Sequence, residues 1–502
     1  MTTENKSIEF IDTSLRDGHQ SLLATRMSTA QSLRVLPLLR DAGYHILELW
    51  GGATLDAALR FTGDDPFERL EQFREVLGPS VAIRSLCRGQ NLFGYSPYPD
   101  EVVERFLRVA CELGNDRIRI FDALNDARNL STAIDATKAG GSHAEVALSY
   151  TTSPVHDLDH FVRFARSAVE LGADSLAIKD MAGLLHPAVA WELIEQLKDR
   201  FPDMKLTLHT QTTNGLANAT AVVGMLAGVD YIDTGHGPLA GGTALPPVEL
   251  MQYFADALGR ETNVDRAAWR PIHEQLLRIR RELRDSDASP EQIGRPWAAQ
   301  PSDEVRRMIE RALELLQTRD RSKAEEAIQI IEYGIMVPQG YPPPDPKQLE
   351  SQIPGGMLSN LHKQLKEQGA LDRLPEIVAA VPQVREDAGW VPLVTPTSQI
   401  VGSQAAFNVL TGRHYGFISK PFANLVMGKY GRTPGPVNPD VLKKCSRGRE
   451  QFTDRPAVYA EPVDLDAVRS AHADIIRRET DLMLIVLFEG PASTFLQERQ
   501  AA

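Results

Sequence analysis

Three apolar runs in this chain each end in side chains that could hold a proton, a metal or an anion. Ile8, Phe10 and Ile11 lead into Arg16, Asp17 and Gln20; Leu176, Ala177 and Ile178 deliver Lys179; Leu206 and Leu208 deliver His209. A lysine at the end of a buried run is costly unless paired or modified. Lys179 is therefore read in two ways. It is either an ion pair with Asp180 or a snorkelling stem, or an amine of lowered pKa able to form a Schiff base or a carbamate. An aspartate, a carbamylated lysine and a histidine would give oxygen and nitrogen ligands suited to zinc, manganese or cobalt. Taken singly, each of these residues is more ordinarily structural, and only convergence would make them a site.

Convergence asks for a particular set of elements. Apolar runs at 8–14, 46–50, 82–86, 117–121, 145–150, 175–178, 205–209 and 231–234 alternate with stretches of helical period such as 29–42 and 100–113. Eight strand–helix units in roughly 250 residues predict an α/β fold, a (β/α)8 TIM barrel, in which residues just past the strand ends face one cavity. No glycine fingerprint opens the first helix, which argues against a doubly wound sheet. Charged helical patterns at 275–284 and 303–317 and a proline-rich stretch at 338–346 follow. The expected organisation is a barrel domain at 1–258, a helical linking region at 259–350 and a mainly helical C-terminal domain at 351–502, with the apolar run 482–488 buried.

The net charge of −13 over 502 residues argues against a nucleic-acid partner, which would need a basic groove. No apolar run reaches membrane-spanning length and the first residues lack a secretory pattern, so the expectation is a cytoplasmic protein with no membrane partner. Cys87, Cys111 and Cys445 fit no metal-knuckle spacing and read as packed thiols of a reducing compartment.

With those strand ends in view, the chain resembles the biotin-dependent carboxyltransferase family: the transcarboxylase carboxyltransferase subunit, the oxaloacetate decarboxylase alpha subunit and the matching domain of pyruvate carboxylase. The resemblance is carried by DTSLRDGHQSLLATRM, ELWGGATLD, LCRGQNLFGY, RIFDALNDARNL, SYTTSPVH and IKDMAGLL, and farther on by IPGGMLSNL, VPLVTPTSQIVGSQA and YGRTPGPVNP. It extends over most of 8–445. It implies that Asp17, carbamylated Lys179 and His209 ligate a divalent metal, that Arg88 holds a 2-oxo acid carboxylate, and that Arg16, Gln20, Asp56 and Tyr95 line the substrate and biotin pocket. It also implies that Thr243, in GGTALPP, relays a proton between the methyl carbon of pyruvate and a biotin nitrogen. The implied partners are a 2-oxo acid, a biotin carrier protein and other carboxylase subunits, and relatives of this kind form dimers, so a homodimer is expected. No Ala-Met-Lys-Met motif occurs, so biotin is expected on a separate carrier.

Two strand ends depart from the family pattern. Where the family has a second ligating histidine this chain has Gln211, followed by Thr212 in place of an aspartate, and His236 stands where histidine is unusual. Either His236 or a water completes the metal shell, or the cavity is retuned for another substrate or for loss of metal; the joint change of two neighbouring strand ends favours retuning. The leading expectation is a carboxyltransferase subunit acting through an enolate. A biotin-independent decarboxylase or lyase, and a non-catalytic scaffold of a carboxylase complex, are the alternatives.

Overall fold

The computed structural model describes residues 7–345, 352–353, 361, 365 and 369–501. The motif IPGGMLSNL falls largely outside them. Eight parallel strands close on themselves: β1 (Ser7–Asp12), β2 (Ile46–Gly51), β3 (Ala82–Cys87), β4 (Arg117–Phe121), β5 (His143–Ser149), β6 (Ser175–Asp180), β7 (Lys205–Thr210) and β8 (Tyr231–Thr234). Closure runs through β1, which pairs with β8 from Glu9↔Tyr231 to Asp12↔Thr234 and touches β2 at Asp12↔Leu47. A two-residue strand, β9 (Glu261–Thr262), is added outside β1. The fold is a TIM barrel, as the alternation of runs predicts.

Two expected elements end sooner than their apolar patterns suggest. The first strand stops at Asp12, and Ser14–Gly18 forms a π-helical turn whose wider winding carries Arg16 and Asp17 inward. The helix expected over 29–42 is split into Thr29–Leu33 and Leu36–Asp41. Pro37 sits in the first turn of the second piece, where a residue without an N–H costs nothing; in mid-helix it would remove a bond.

Apolar packing groups the rest of the chain. One core joins the barrel to Ile309, Leu313, Leu316 and Ile331 and, near the end of the chain, to Leu482, Leu484, Ile485 and Leu496. The run 482–488 is thus buried, within the helix Glu479–Ala501, whose flanks reach back to the barrel. Arg478 and Arg499 both pair with Asp65, at 2.8 and 2.7 Å, and the Tyr98 hydroxyl donates to Leu487 O. A second core, built from Ile377, Val381, Val384, Val401, Phe422 and Val441, holds together a helical lobe comprising Leu374–Asp387, Thr397–Thr411, Lys420–Val426 and Pro439–Ser446. The lobe docks on the barrel mouth: Val394 packs on Phe121, Ala147 and Ala177 at the ends of β4–β6, and Asn129 donates to Tyr430 O. The three cysteines are buried free thiols.

Candidate active site

Charge fills the barrel interior between the apolar positions of the strands. Glu48, Arg84, Arg119, Glu145 and Asp233, from five strands, are fully buried. Arg84 donates to Glu48 at 2.8 Å and to Asp233 at 2.7 Å; Arg119 donates to Glu145 at 2.8 Å and also to Asp233. Arg16, arriving from the π-helical turn, closes the network on Glu48. Three guanidiniums thus meet three carboxylates, which is the condition for keeping such charges out of water. Burial alone would raise Glu48, but Arg16, Arg84 and Arg119 hold it at about 2.

Asp17, Lys179, His209 and Gln211 lie on this base. Asp17 pairs with Arg16 at 2.9 Å and accepts from Ser21 and from the Gln211 amide, both at 3.0 Å. Burial pushes its pKa up, but Arg16, His209 and Lys179 outweigh burial and keep it ionised. His209 Nδ1 is fixed by Asp233 at 2.8 Å, while Nε2 stands 3.8 Å from Asp17 Oδ2, buried and without a hydrogen-bond partner. Lys179 makes no ion pair with Asp180, whose oxygens accept from Leu184 N, Leu185 N and the Thr210 hydroxyl. Its Nζ lies 5.6 Å from the Phe121 ring, and burial, reinforced by Arg16, lowers its pKa to about 8. Gln20 accepts from Arg16 at 3.2 Å.

Arg88 occupies an adjoining part of the mouth. Its Nη1 donates to Phe93 O at 2.6 Å and Gly94 O at 2.9 Å, and it makes no ion pair among the described residues. The second glycine of WGGATLD makes room for Arg88. A Cβ on Gly52 would sit 2.6 Å from Arg88 Nη1. Tyr95 stacks 5.4 Å from the Arg88 guanidinium and remains 42 % exposed, with Asp56, paired to Arg60, beside it. Arg88 lines one small cavity with Asn91, Asp122, Thr395 and Tyr430. Asp122 accepts from Leu124 N, Asp126 N and Asn129; burial, with Asp126 nearby, pushes it up to about 7.

Two expected residues stand apart from these groups. His236 is buried with Nε2 bonded to Tyr44 at 2.8 Å and Nδ1 facing Glu249 at 3.3 Å, so neither nitrogen is left to complete a metal shell. The Thr243 hydroxyl donates to Ser21 O at 2.9 Å and is not among the residues lining the Arg88 cavity. Sequence reasoning missed Thr395 and the interior network. The signals were present: a hydroxyl inside VPLVTPTSQIVGSQA, and single charges within otherwise apolar strands such as RIRIF and YIDT.

The unpartnered His209 Nε2, backed by Asp233, is what a metal-ligating imidazole looks like from its second side. The available donors are one imidazole nitrogen, the Asp17 carboxylate, the Gln211 amide oxygen after a half-turn, and Lys179 as a carbamate. They fit a divalent ion with an oxygen-rich shell. Among the described residues no group of three or more His, Cys, Asp or Glu could hold a metal, in keeping with Gln211 standing in the third place.

Comparison with known proteins gives the lineage of this arrangement. Residues 349–502 match a family described as the conserved carboxylase domain, and residues 106–275 match the HMGL-like family. A pyruvate carboxylase subunit of Methanocaldococcus jannaschii is 37% identical over 98% of this chain and 78% of that protein. The methylmalonyl-CoA carboxyltransferase 5S subunit of Propionibacterium freudenreichii subsp. shermanii is 36% identical over 99% of this chain and 89% of that protein. The carboxyl transferase domain of Rhizobium etli pyruvate carboxylase, solved with pyruvate, superposes with a TM-score of 0.82 at 28% identity, covering 99% of this chain and 78% of that one. Relatives more than 30% identical over almost the whole chain show its family: the chain belongs to the biotin-dependent carboxyltransferase family of pyruvate carboxylase and transcarboxylase subunits.

Proposed function

We propose that this chain moves a carboxyl group between carboxybiotin, presented on a carrier protein, and pyruvate, oxaloacetate or a related 2-oxo acid. The observation that carries this reading is the placement of Arg88, a guanidinium with no carboxylate partner among the described residues, at the same mouth as Asp17, Lys179 and His209.

Arg88 would take the substrate carboxylate through its free N–H edge, with Tyr95 and Gln20 fixing the rest of the molecule. Removing a methyl proton leaves an enolate, whose oxygen needs positive charge in a site shielded from water. Asp17, His209, Gln211 and carbamylated Lys179 are the residues that would hold a divalent ion, which when bound supplies Lewis-acid stabilisation of that oxygen. In carboxylation the C–N bond of carboxybiotin breaks, a C–C bond to the methyl carbon forms, and the proton taken from that carbon ends on the biotin nitrogen. Thr243, suggested by family resemblance, and Thr395, on the cavity with Arg88, are two hydroxyls proposed for that transfer. Assembly with a carrier subunit and with a second copy as a homodimer belongs to the same reading. Among the described residues no helix is long and apolar enough to cross a membrane.

The test is oxaloacetate decarboxylation by the purified chain with and without free biotin or carboxylated carrier. Biotin-dependent pyruvate release, lost in whichever of Thr243→Ala and Thr395→Ala removes the relay, is expected. Turnover that ignores biotin would instead support a stand-alone decarboxylase.

A further inference from the structure

A second cavity, of about 430 Å3, shares no lining residue with the Arg88 site. It lies between the loop after β5 and the lobe helix Leu374–Asp387, with Ser153, Gln352, Pro382, Arg385 and Trp390 on its walls. Its volume is within the range of small-molecule sites.

Arg385 is the unusual group. Six arginines are buried among the described residues: Arg16, Arg69, Arg84, Arg119, Arg280 and Arg385. The first five each have a carboxylate partner, namely Glu48, Asp64, Glu48, Glu145 and Asp287. Arg385, 4% exposed, meets only neutral acceptors among the described residues. Nη2 donates to Thr151 Oγ1 at 2.9 Å and Thr152 O at 3.0 Å, Nε donates to Val391 O at 2.8 Å, and Nη1 contacts Gln352 Oε1. These use four of the five N–H groups a guanidinium carries. Burial lowers its pKa to about 10, and a buried cation without a carboxylate partner among the described residues is costly.

The wall beside Arg385 is formed at some expense too. Gly389 and Trp390 are successive left-handed residues, with φ of 85° and 62°. Glycine bears this freely, whereas a tryptophan there is strained by about 1 kcal/mol or more. That backbone places the indole on the cavity with its ring centroid 6.0 Å from the Arg385 guanidinium. Ser153, also on the wall, is fixed by His156 Nδ1 at 2.6 Å.

We propose that this cavity binds a small molecule that joins one anionic group, taken by Arg385, to a planar or apolar body laid against Trp390. The inference does not depend on the reaction at the Arg88 mouth. A phosphate and a carboxylate are equivalent in this chemistry, and the probes separate them. In calorimetric titrations of the full chain, phenyl phosphate or benzoate binds one to one, about tenfold or more tighter than inorganic phosphate, acetate or phenol. Trp390→Leu and Arg385→Met each weaken that binding about tenfold or more, whereas Arg88→Ala leaves it intact. Because Arg385 also ties the lobe to the β5 loop, Arg385→Met could unfold that seam; Trp390→Leu, on a half-buried side chain, then decides. Absence of binding by both aromatic anions, binding indifferent to Trp390→Leu, or binding abolished by Arg88→Ala overturns the proposal and leaves Arg385 as a structural clamp.

Discussion

Gln211 decides what the Asp17–His209 pair can hold. Its amide donates to Asp17 rather than offering a second imidazole, so zinc should bind more weakly than to a two-histidine shell. Gln211→His is expected to raise zinc affinity on the order of tenfold or more, read by metal analysis after dialysis; unchanged metal content would mean that the ion, if any, is held elsewhere. Arg88 offers a cleaner forecast. Losing a charge-assisted carboxylate clamp costs about 1.5–3 kcal/mol, so Arg88→Ala should raise KM for the 2-oxo acid roughly 10- to 100-fold, and an unaltered KM in steady-state kinetics would place the substrate elsewhere. Asp17, Lys179 and His209 were legible as a group because each follows an apolar run and strand ends of a barrel meet, whereas Arg88 entered through the family resemblance. Their partners were not. That His209 leans on Asp233, or that Arg16 rests on Glu48, depends on strand register, which hydrophobic pattern does not encode across such separations.

The elements that carry these groups were read well where period and length agreed, and poorly where chemistry interrupts period. The eight strands follow from their apolar runs, yet the π-helical turn at Ser14–Gly18 has no signature beyond the polar residues it presents. The linking helices supply a pH-dependent contact. Glu332, on the π-helical segment Ile330–Met336, is buried against barrel helix Ala217–Ala227 with Asn218 as its hydrogen-bond donor at 2.8 Å, and burial pushes its pKa up to about 8. Its folded pKa exceeds the unfolded value, so its contribution to stability is complete below about pH 4.5 and is lost as pH rises toward 8. Glu332→Gln should therefore stabilise the fold at pH 8 relative to pH 5 by on the order of 2 kcal/mol compared with the parent, measured by urea denaturation at both values. A difference that does not change with pH would show that the carboxyl is solvated.

At the scale of the molecule, the last helix returns to the barrel and the lobe stands over the mouth; neither was visible in the sequence, because amphipathic period reports that a face is buried and not what buries it. Asp65 shows how the return is fixed. It caps the helix Pro66–Leu77 through Phe67 N and Glu68 N and pairs with both Arg478 and Arg499. Asp65→Ala removes a cap and one carboxylate from Arg478 and Arg499, which keep Glu68 and Asp481, and should cost about 1–2 kcal/mol, read as a lower denaturation midpoint with an unchanged slope. A cost under about 0.5 kcal/mol would mean that apolar burial alone holds the helix. The lobe matters to chemistry through Val394 and Thr395, which bring a second part of the chain to Arg88. The central claim is that this composite mouth transfers carboxyl groups by way of biotin. The most direct measurement is the rate of pyruvate formation from oxaloacetate as free biotin is varied, for the parent chain and for Arg88→Ala. Transfer through biotin predicts a rate that rises and saturates with biotin in the parent and falls roughly 10- to 100-fold in the variant at a fixed, subsaturating substrate concentration; a rate independent of biotin, or one that Arg88→Ala leaves unchanged, would contradict it.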